Sequence, residues 1–224
     1  MEKEKIGVAI GVISRGTIPI KWMVHMNMIQ RNLPVGLYWK YIVVEGKNYA
    51  DGRNEVVKKA REENFEWLFF VDDDVFLPHD AIKRLLSHQK DVVTGIYWTK
   101  SDPAEPVIFE KFGKGPMYKF PVDKLFPVAG AGAGCLLINM KVFDKFDEHN
   151  IPYFKQGWSE DGIVCNIGED HWFFKKAIQL GFEVYADSGV LCDHYNVSTG
   201  KFYPSEDVVK NICGEKLKEL EEEK

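Results

Sequence analysis

Five consecutive large apolar residues, Trp67-Leu68-Phe69-Phe70-Val71, run directly into Asp72-Asp73-Asp74. Such a run has no polar face, so it reads as a strand buried on both sides, and strands of that kind belong to sheets with helices on both faces. Three adjacent carboxylates at a strand end repel one another unless something cationic offsets them. The segment sets two expectations at once, an α/β layered fold and a cation-seeking site at the carboxyl end of a strand.

The flanking sequence agrees with the first. Ile6 to Ile13 is a near-continuous apolar run closed by Ser14-Arg15-Gly16, and Trp22 to Ile29 carries apolar residues at helical spacing. Tyr41 to Val44 is a second strand, and Asp51 is placed to cap a helix running to about Asn64 that buries Val56, Val57 and Ala60. Pro78 to Ser87 reads as a helix and Val92 to Tyr97 as a strand. This alternation predicts a mostly parallel central sheet with ligand sites at the carboxyl ends of its strands. Between Ser101 and Pro127, prolines and glycines predict hairpins or a long loop and no helix. Further on, Cys135 to Ile138 reads as a strand, Lys141 to Phe146 as a short helix, and Glu169 to Leu180 as an amphipathic helix stopped by Gly181. Two short strands, Glu183 to Tyr185 and Val190 to Cys192, are expected after it. The last segment, 205–224, is charged and helical in composition.

Composition narrows the function. With 45% hydrophobic and 28% charged residues, the chain is neither disordered nor fibrous. The formal charge of −5 leaves no cationic excess for a phosphate backbone, which argues against nucleic acid as a partner. The longest uncharged run, Leu125 to Met140, contains glycines and a proline and is too short to span a bilayer, so no transmembrane segment is expected. Met1 to Lys5 is charged and lacks the apolar core of a secretory signal, which reads as cytoplasmic. The cysteines Cys135, Cys165, Cys192 and Cys213 form no CxxC pair and read as reduced core thiols.

Three motifs could carry chemistry. In extended chain Asp72 and Asp74 point to one side and Asp73 to the other, so the first and third could face one hard divalent cation. Gly168-Glu169-Asp170-His171 opens a helix, where acids complement the dipole without any catalytic role. Asp193-His194-Tyr195 follows an apolar strand; His194 suits a Mn²⁺ site, yet spacing alone does not bring it to Asp74. The run Gly130-Ala131-Gly132-Ala133-Gly134 is not a dinucleotide fingerprint, because the third glycine of GxGxxG would fall at Cys135 and a strand follows. Close backbone packing and a floor beneath a ligand explain it equally well.

In this order the motifs resemble the metal-dependent nucleotide-sugar glycosyltransferases of the GT-A fold, most closely the large family-two-like group. The likeness runs from Ile6 to Tyr195 and rests on Ser14-Arg15, Arg53-Asn54, the segment Phe69 to Pro78, Gly132 to Ile138, Gly168-Glu169-Asp170 and Asp193-His194. The resemblance implies a Rossmann-like α/β fold, a mostly parallel central sheet with helices on both faces and a small acceptor-side mixed sheet. It also implies one catalytic domain over 1–204, with a donor-binding half to about residue 98 and an acceptor-binding half from about 99, followed by a charged helix over 205–224. By resemblance, Mn²⁺ or Mg²⁺ is held by Asp74 and His194 with Asp72 beside it. The nucleoside-diphosphate sugar lies near Ser14, Arg15, Glu45, Arg53, Asn54, Asp72 and Asp73. Asp170 is implied as catalytic base with Glu169 its neighbour, while Trp158, Gly132 and Gly134 face a saccharide, lipid-linked or protein acceptor. Tyr153, Trp158 and Trp172 are further candidates for stacking on sugar rings.

The physical logic fits an inverting transfer, and retention stays open. The rivals are a haloacid-dehalogenase-type phosphatase, a sugar nucleotidyltransferase or other Mg²⁺-dependent phosphoryl-transfer enzyme, and a non-catalytic nucleotide-sugar-binding module. The first expects its DxD after the first strand with Thr or Val where Phe76 stands; the second expects a glycine-rich basic loop after that strand; the third has no use for Asp170.

Overall fold

The computed structural model describes residues 7–158 and 166–204. The first half contributes β1 (Gly7–Ser14), α1 (Ile20–Arg31), β2 (Tyr38–Glu45), α2 (Tyr49–Glu62), β3 (Trp67–Val71), β4 (Val75–Phe76), α3 (Ala81–Ser87) and β5 (Val92–Ile96). There follow β6 (Ile108–Phe109), β7 (Leu125–Pro127), β8 (Gly130–Ala131), β9 (Cys135–Asn139) and α4 (Lys141–Glu148). The last described elements are β10 (Gly157–Trp158), β11 (Asn166–Ile167), α5 (Glu169–Gln179), β12 (Val184–Leu191), β13 (Asp193–Asn196) and β14 (Lys201–Tyr203). The segment 205–224, expected to be helical, and Cys165 and Cys213 lie outside the described residues.

Seven strands form the central sheet in the order β2-β1-β3-β9-β5-β12-β7. β1 runs parallel to β2 and β3, and β12 parallel to β5. β9 is antiparallel to both its neighbours and β7 is antiparallel to β12, so five strands point one way and two oppose them. The sheet is mostly parallel, as expected. β9, from the second half of the chain, lies between β3 and β5 from the first, which ties the halves into one sheet.

The buried-strand reading of β3 is visible in its packing. Leu68 and Phe70 join the apolar cluster that includes α2, α4 and α5, while Trp67, Phe69 and Val71 join the one that includes α1 and α3. Successive side chains of a strand point to opposite faces, so only an uninterrupted apolar run can serve both layers. Cys135 and Cys192 are buried free thiols. Among the described residues no helix is long and apolar enough to cross a membrane.

Three local expectations change. Asn48, not Asp51, caps α2: its backbone is extended and its Oδ1 accepts from Asp51 N at 2.9 Å, which leaves Asp51 as the acid of the first turn. α3 begins at Ala81 rather than Pro78, since Pro78 to Ala81 is a turn closed by Ala81 N donating to Pro78 O at 3.0 Å. The two short strands near residue 187 are one strand, β12, with a register shift between Ala186 and Leu191. Asp187 lies in that shift with no exposed side-chain surface. Arg84 donates to both of its oxygens, at 2.6 and 2.9 Å, and His88 Nε2 is 2.6 Å away. Burial would raise the Asp187 carboxyl, but the bonds from Arg84 and His88 outweigh it and hold it below the usual carboxylate range. The polar break in this apolar strand is a buried ion pair.

Candidate active site

The sheet's carboxyl edge carries the acids. β3 ends at Val71 and the chain turns, Val75 N donating to Asp72 O at 3.1 Å, so the three aspartates do not alternate as extended chain would. Asp72 swings to Arg53, whose Nη2 donates to Oδ1 at 3.0 Å. Asp73 accepts from the Ser14 hydroxyl; burial, with Asp74 and Asp72 beside it, still pushes its carboxyl up. Asp74 meets Lys100 on one oxygen and His194 on the other. Burial would raise Asp74 too, but its bonds to His194 and Lys100 win and lower it. Asp73 and Asp74 thus line one cleft, where extended chain would have placed Asp72 with Asp74, and Asp72 is turned to Arg53.

Strand β4, which no periodicity announced, explains how His194 reaches Asp74. Val75 and Phe76 pair antiparallel with β13 so that His194 stands opposite Val75, and Tyr195 N donates to Asp74 O at 2.7 Å. The imidazole is oriented from behind. Its Nδ1 lies 2.7 Å from the carbonyl of Trp98, which can only accept, so Nδ1 is the donor there and Nε2 is the nitrogen turned toward Asp74. Nε2 and Asp74 Oδ1 are 3.2 Å apart, and two acceptors at that distance call for a proton or a cation between them. Two ligands at right angles on an ion with ~2.1 Å bonds would stand about 3 Å apart, so the pair suits one edge of an octahedral Mg²⁺- or Mn²⁺-sized site. Among the described residues no group of three His, Cys, Asp or Glu side chains could hold a metal, so further ligands would be donor oxygens or water.

Arg53 is the hub. It is only 2% exposed and sends Nη2 to Asp72, Nε to Glu169 Oε1 at 3.4 Å, and Nη1 to the carbonyl of Ala133 at 3.4 Å. Its nitrogens bond to protein acceptors, so Arg53 organises the site. The two carboxylates favour its charge and outweigh the cost of burial. Through Arg53 the aspartate turn after β3 and the acidic start of α5 share one wall. Burial raises the Glu169 carboxyl, Arg53 opposing and Asp170 adding to the shift. Asp170 Oδ1 accepts from His171 N at 2.7 Å and lies 3.0 Å from His171 Nδ1, which raises the His171 pKa.

The glycines lie beneath Tyr97. A Cβ at Gly132 would fall 1.9 Å from the Tyr97 hydroxyl oxygen, and one at Gly134 3.0 Å from its Cζ and 2.9 Å from Asp72 Oδ2. Both glycines are buried, and Gly134 N donates to the Tyr97 hydroxyl at 3.4 Å. Their smallness admits Tyr97 and Asp72. Gly132→Ala is expected to destabilise by ~1–3 kcal/mol through overpacking. A thermal melt checks this, and Tyr97→Leu in the same chain should recover part of the loss.

The cleft itself, of about 430 Å³, is lined by Arg15, Tyr49, Asp73, Asp74, Lys100 and the 196–198 turn, among others. Arg15 lies over the Tyr49 ring, 5.3 Å from its centroid. Ser14 is buried and exposed Glu45 pairs beside it across β1 and β2. Asn54 is engaged elsewhere, with its Nδ2 donating to Phe154 O at 2.9 Å and its Oδ1 accepting from Phe154 N at 3.0 Å. Both halves of that amide bond to the main chain, so Asn54 fixes the 154 segment. Tyr153 packs on Phe143 and bonds to Asp147, and Trp172 Nε1 donates to Pro152 O. Trp158 belongs to β10 by its backbone, but its side chain and residues 159–165 lie outside the described part of the chain.

The family described as Glycosyl transferase family 2 matches residues 36–146, a stretch that contains Arg53, the aspartate turn, Tyr97 and Lys100. Over that stretch, just under half of its length, the chain is similar to the family 2 glycosyltransferases. Its fold is similar to that of A197 from STIV, with a TM-score of 0.61 at 18% identity over 87% of this chain and 92% of that one. It is also similar to GalNAc-T7, crystallised with UDP, GalNAc and Mn2+, with a TM-score of 0.51 at 10% identity. That alignment covers 86% of this chain and 44% of the other, so this chain spans less than half of its length. No curated protein sequence matches the chain.

Three residues of the site carry no signal in the sequence. Tyr97 and Lys100 follow β5, at the same edge as the aspartates, and Tyr49 opens α2 behind β2. The general rule that ligands gather at strand carboxyl ends pointed to these places, but nothing in their residue type did.

Proposed function

We propose that this chain is a glycosyltransferase of the family 2 kind that moves a sugar from a nucleoside-diphosphate sugar to an acceptor hydroxyl, with inversion at the sugar carbon. The observation that carries the reading is the Arg53 bridge between Asp72 and Glu169, which couples the acidic turn to the acidic helix start. A simple nucleotide-binding module would need only the first of these.

In this reading Arg15 and Lys100 contact the diphosphate, and Ser14, Glu45 and Asp73 border the nucleoside. Asp170 takes the acceptor hydroxyl's proton as the acceptor oxygen bonds to the sugar carbon and the bond to the diphosphate oxygen breaks. A Mn²⁺ or Mg²⁺ ion on Asp74 and His194 would supply positive charge for the diphosphate leaving group. Glu169, held by Arg53, fixes the helix start from which Asp170 projects. The acceptor is a saccharide, lipid-linked or protein hydroxyl approaching from the side of Trp158.

Thermal shift with UDP-, GDP- and dTDP-sugars, each with Mn²⁺ and with EDTA, tests the donor class. One donor should stabilise the protein by about 2.7 kcal/mol at ~100 times its dissociation constant, and more with Mn²⁺ than without. If none stabilises in either condition, the reading fails. Asp74→Asn and His194→Ala are each expected to weaken the metal-dependent part of donor binding by calorimetry, and parental affinity with parental metal dependence in both would contradict their assignment.

A further inference from the structure

Asp74 already has a cation. The Lys100 ammonium bonds to Oδ2, the oxygen that His194 does not touch, and both side chains retain access to solvent, at 28% and 20% exposure. Lys100 is not carried on a loose arm. Thr99 N donates to Glu105 O at 2.8 Å, Glu105 N to Thr99 Oγ1 at 3.0 Å and Val107 N to Tyr97 O at 2.8 Å, which closes the segment on itself just beyond β5. The charged side chains that line this cleft are Arg15, Lys100, Asp73 and Asp74, two of each sign. A diphosphate entering such a cleft meets two carboxylates, and it binds only if their charge is offset and a cation is turned toward it. Partly exposed lysine–carboxylate pairs contribute little and exchange partners readily, unlike the buried Arg53 bridge.

We propose that Lys100 is the resident cation of the site: it neutralises Asp74 while the donor is absent and transfers to the diphosphate when the donor enters, so that part of the donor affinity needs no divalent metal. The proposal rests on the donor reading above. It makes two predictions of opposite sign. Without Lys100 the metal-free affinity for a nucleoside diphosphate should fall, because a charge-assisted contact is lost. The affinity for a divalent ion alone should rise, because the competitor for Asp74 Oδ2 is gone.

The test uses calorimetry of UDP, GDP and dTDP in EDTA and in Mn²⁺, and Mn²⁺ titration without nucleotide followed by electron paramagnetic resonance, on the parent, Lys100→Gln and Lys100→Arg. Expected are binding of one nucleotide by the parent in EDTA, a loss of about tenfold or more in Lys100→Gln, and its recovery in Lys100→Arg. Mn²⁺ alone should bind Lys100→Gln up to about fivefold more tightly than the parent. A parent that binds nucleotide only with Mn²⁺, a Lys100→Gln protein that binds in EDTA like the parent, or an unchanged or weakened Mn²⁺ affinity overturns the proposal and leaves the donor reading standing. A parent that binds none of the three nucleotides even with Mn²⁺ overturns the donor reading, and the proposal with it.

Discussion

Asp170→Asn is expected to reduce sugar transfer by ~10²–10⁴-fold, the usual contribution of a general base, while donor affinity stays at the parental value. A helix-start acid also has a purely structural use, so stability must be followed in the same protein. Asparagine can still accept from His171 N, the bond Asp170 makes at 2.7 Å, and helix starts tolerate Asn as well as Asp. The pH of the melt matters. The His171 pKa is raised, first by its bond to Asp170, so that pair stabilises the fold below the ordinary histidine value and the contribution is lost as pH rises through the raised value. The variant should therefore melt like the parent at alkaline pH and somewhat below it under mildly acidic conditions. Parental transfer rates in Asp170→Asn would reduce the residue to a helix-start acid.

Arg53→Met should be the most destabilising single change in the site. It leaves Asp72 and Glu169 facing each other across a space with no cation, and breaking a buried pair by removing one partner costs about 3–5 kcal/mol. For a chain of this size that corresponds to a fall in melting temperature of roughly 6–20 °C. Adding Asp72→Asn and Glu169→Gln to Arg53→Met should restore part of the loss, because the orphaned charges are then removed as well. Arg53→Lys should fall between, since an ammonium cannot reproduce the three directions in which the guanidinium bonds. A triple variant no more stable than Arg53→Met would contradict the electrostatic account of this hub.

The layers of the fold were legible because strand and helix periodicities are local. β1, β3, β5 and β9 announce themselves as apolar runs, and the interruption in β12 misled only because Asp187 is a buried polar residue whose partners lie on and just after α3. The chemistry of the site was legible as residue types and not as contacts. Asp72, Asp73 and Asp74 were visible as a cation-seeking turn, but alternation assigned them to the wrong sides because the chain leaves the strand at Val71. His194 could be brought to Asp74 only through the two-residue strand β4, too short to carry a period. Arg53 and Asn54 stand out as a pair before a helix, yet their partners, Glu169 and Phe154, are more than ninety residues away and no local rule reaches that far. For Gly132 and Gly134, packing and ligand approach are in balance by sequence, and the structure adds that Tyr97 packs against both.

The central claim is that a donor diphosphate lies in the cleft bordered by Arg15, Asp73, Asp74 and Lys100 at the carboxyl ends of β1, β3 and β5. A co-crystal with Mn²⁺ and the nucleoside diphosphate that most stabilises the protein tests it most directly. Phosphate density is expected between Arg15 and Lys100, metal density against Asp74 and His194, and the nucleoside extending past Ser14 toward Glu45. A nucleotide bound at the opposite edge of the sheet, or one that leaves Asp74 and Lys100 untouched, would contradict it.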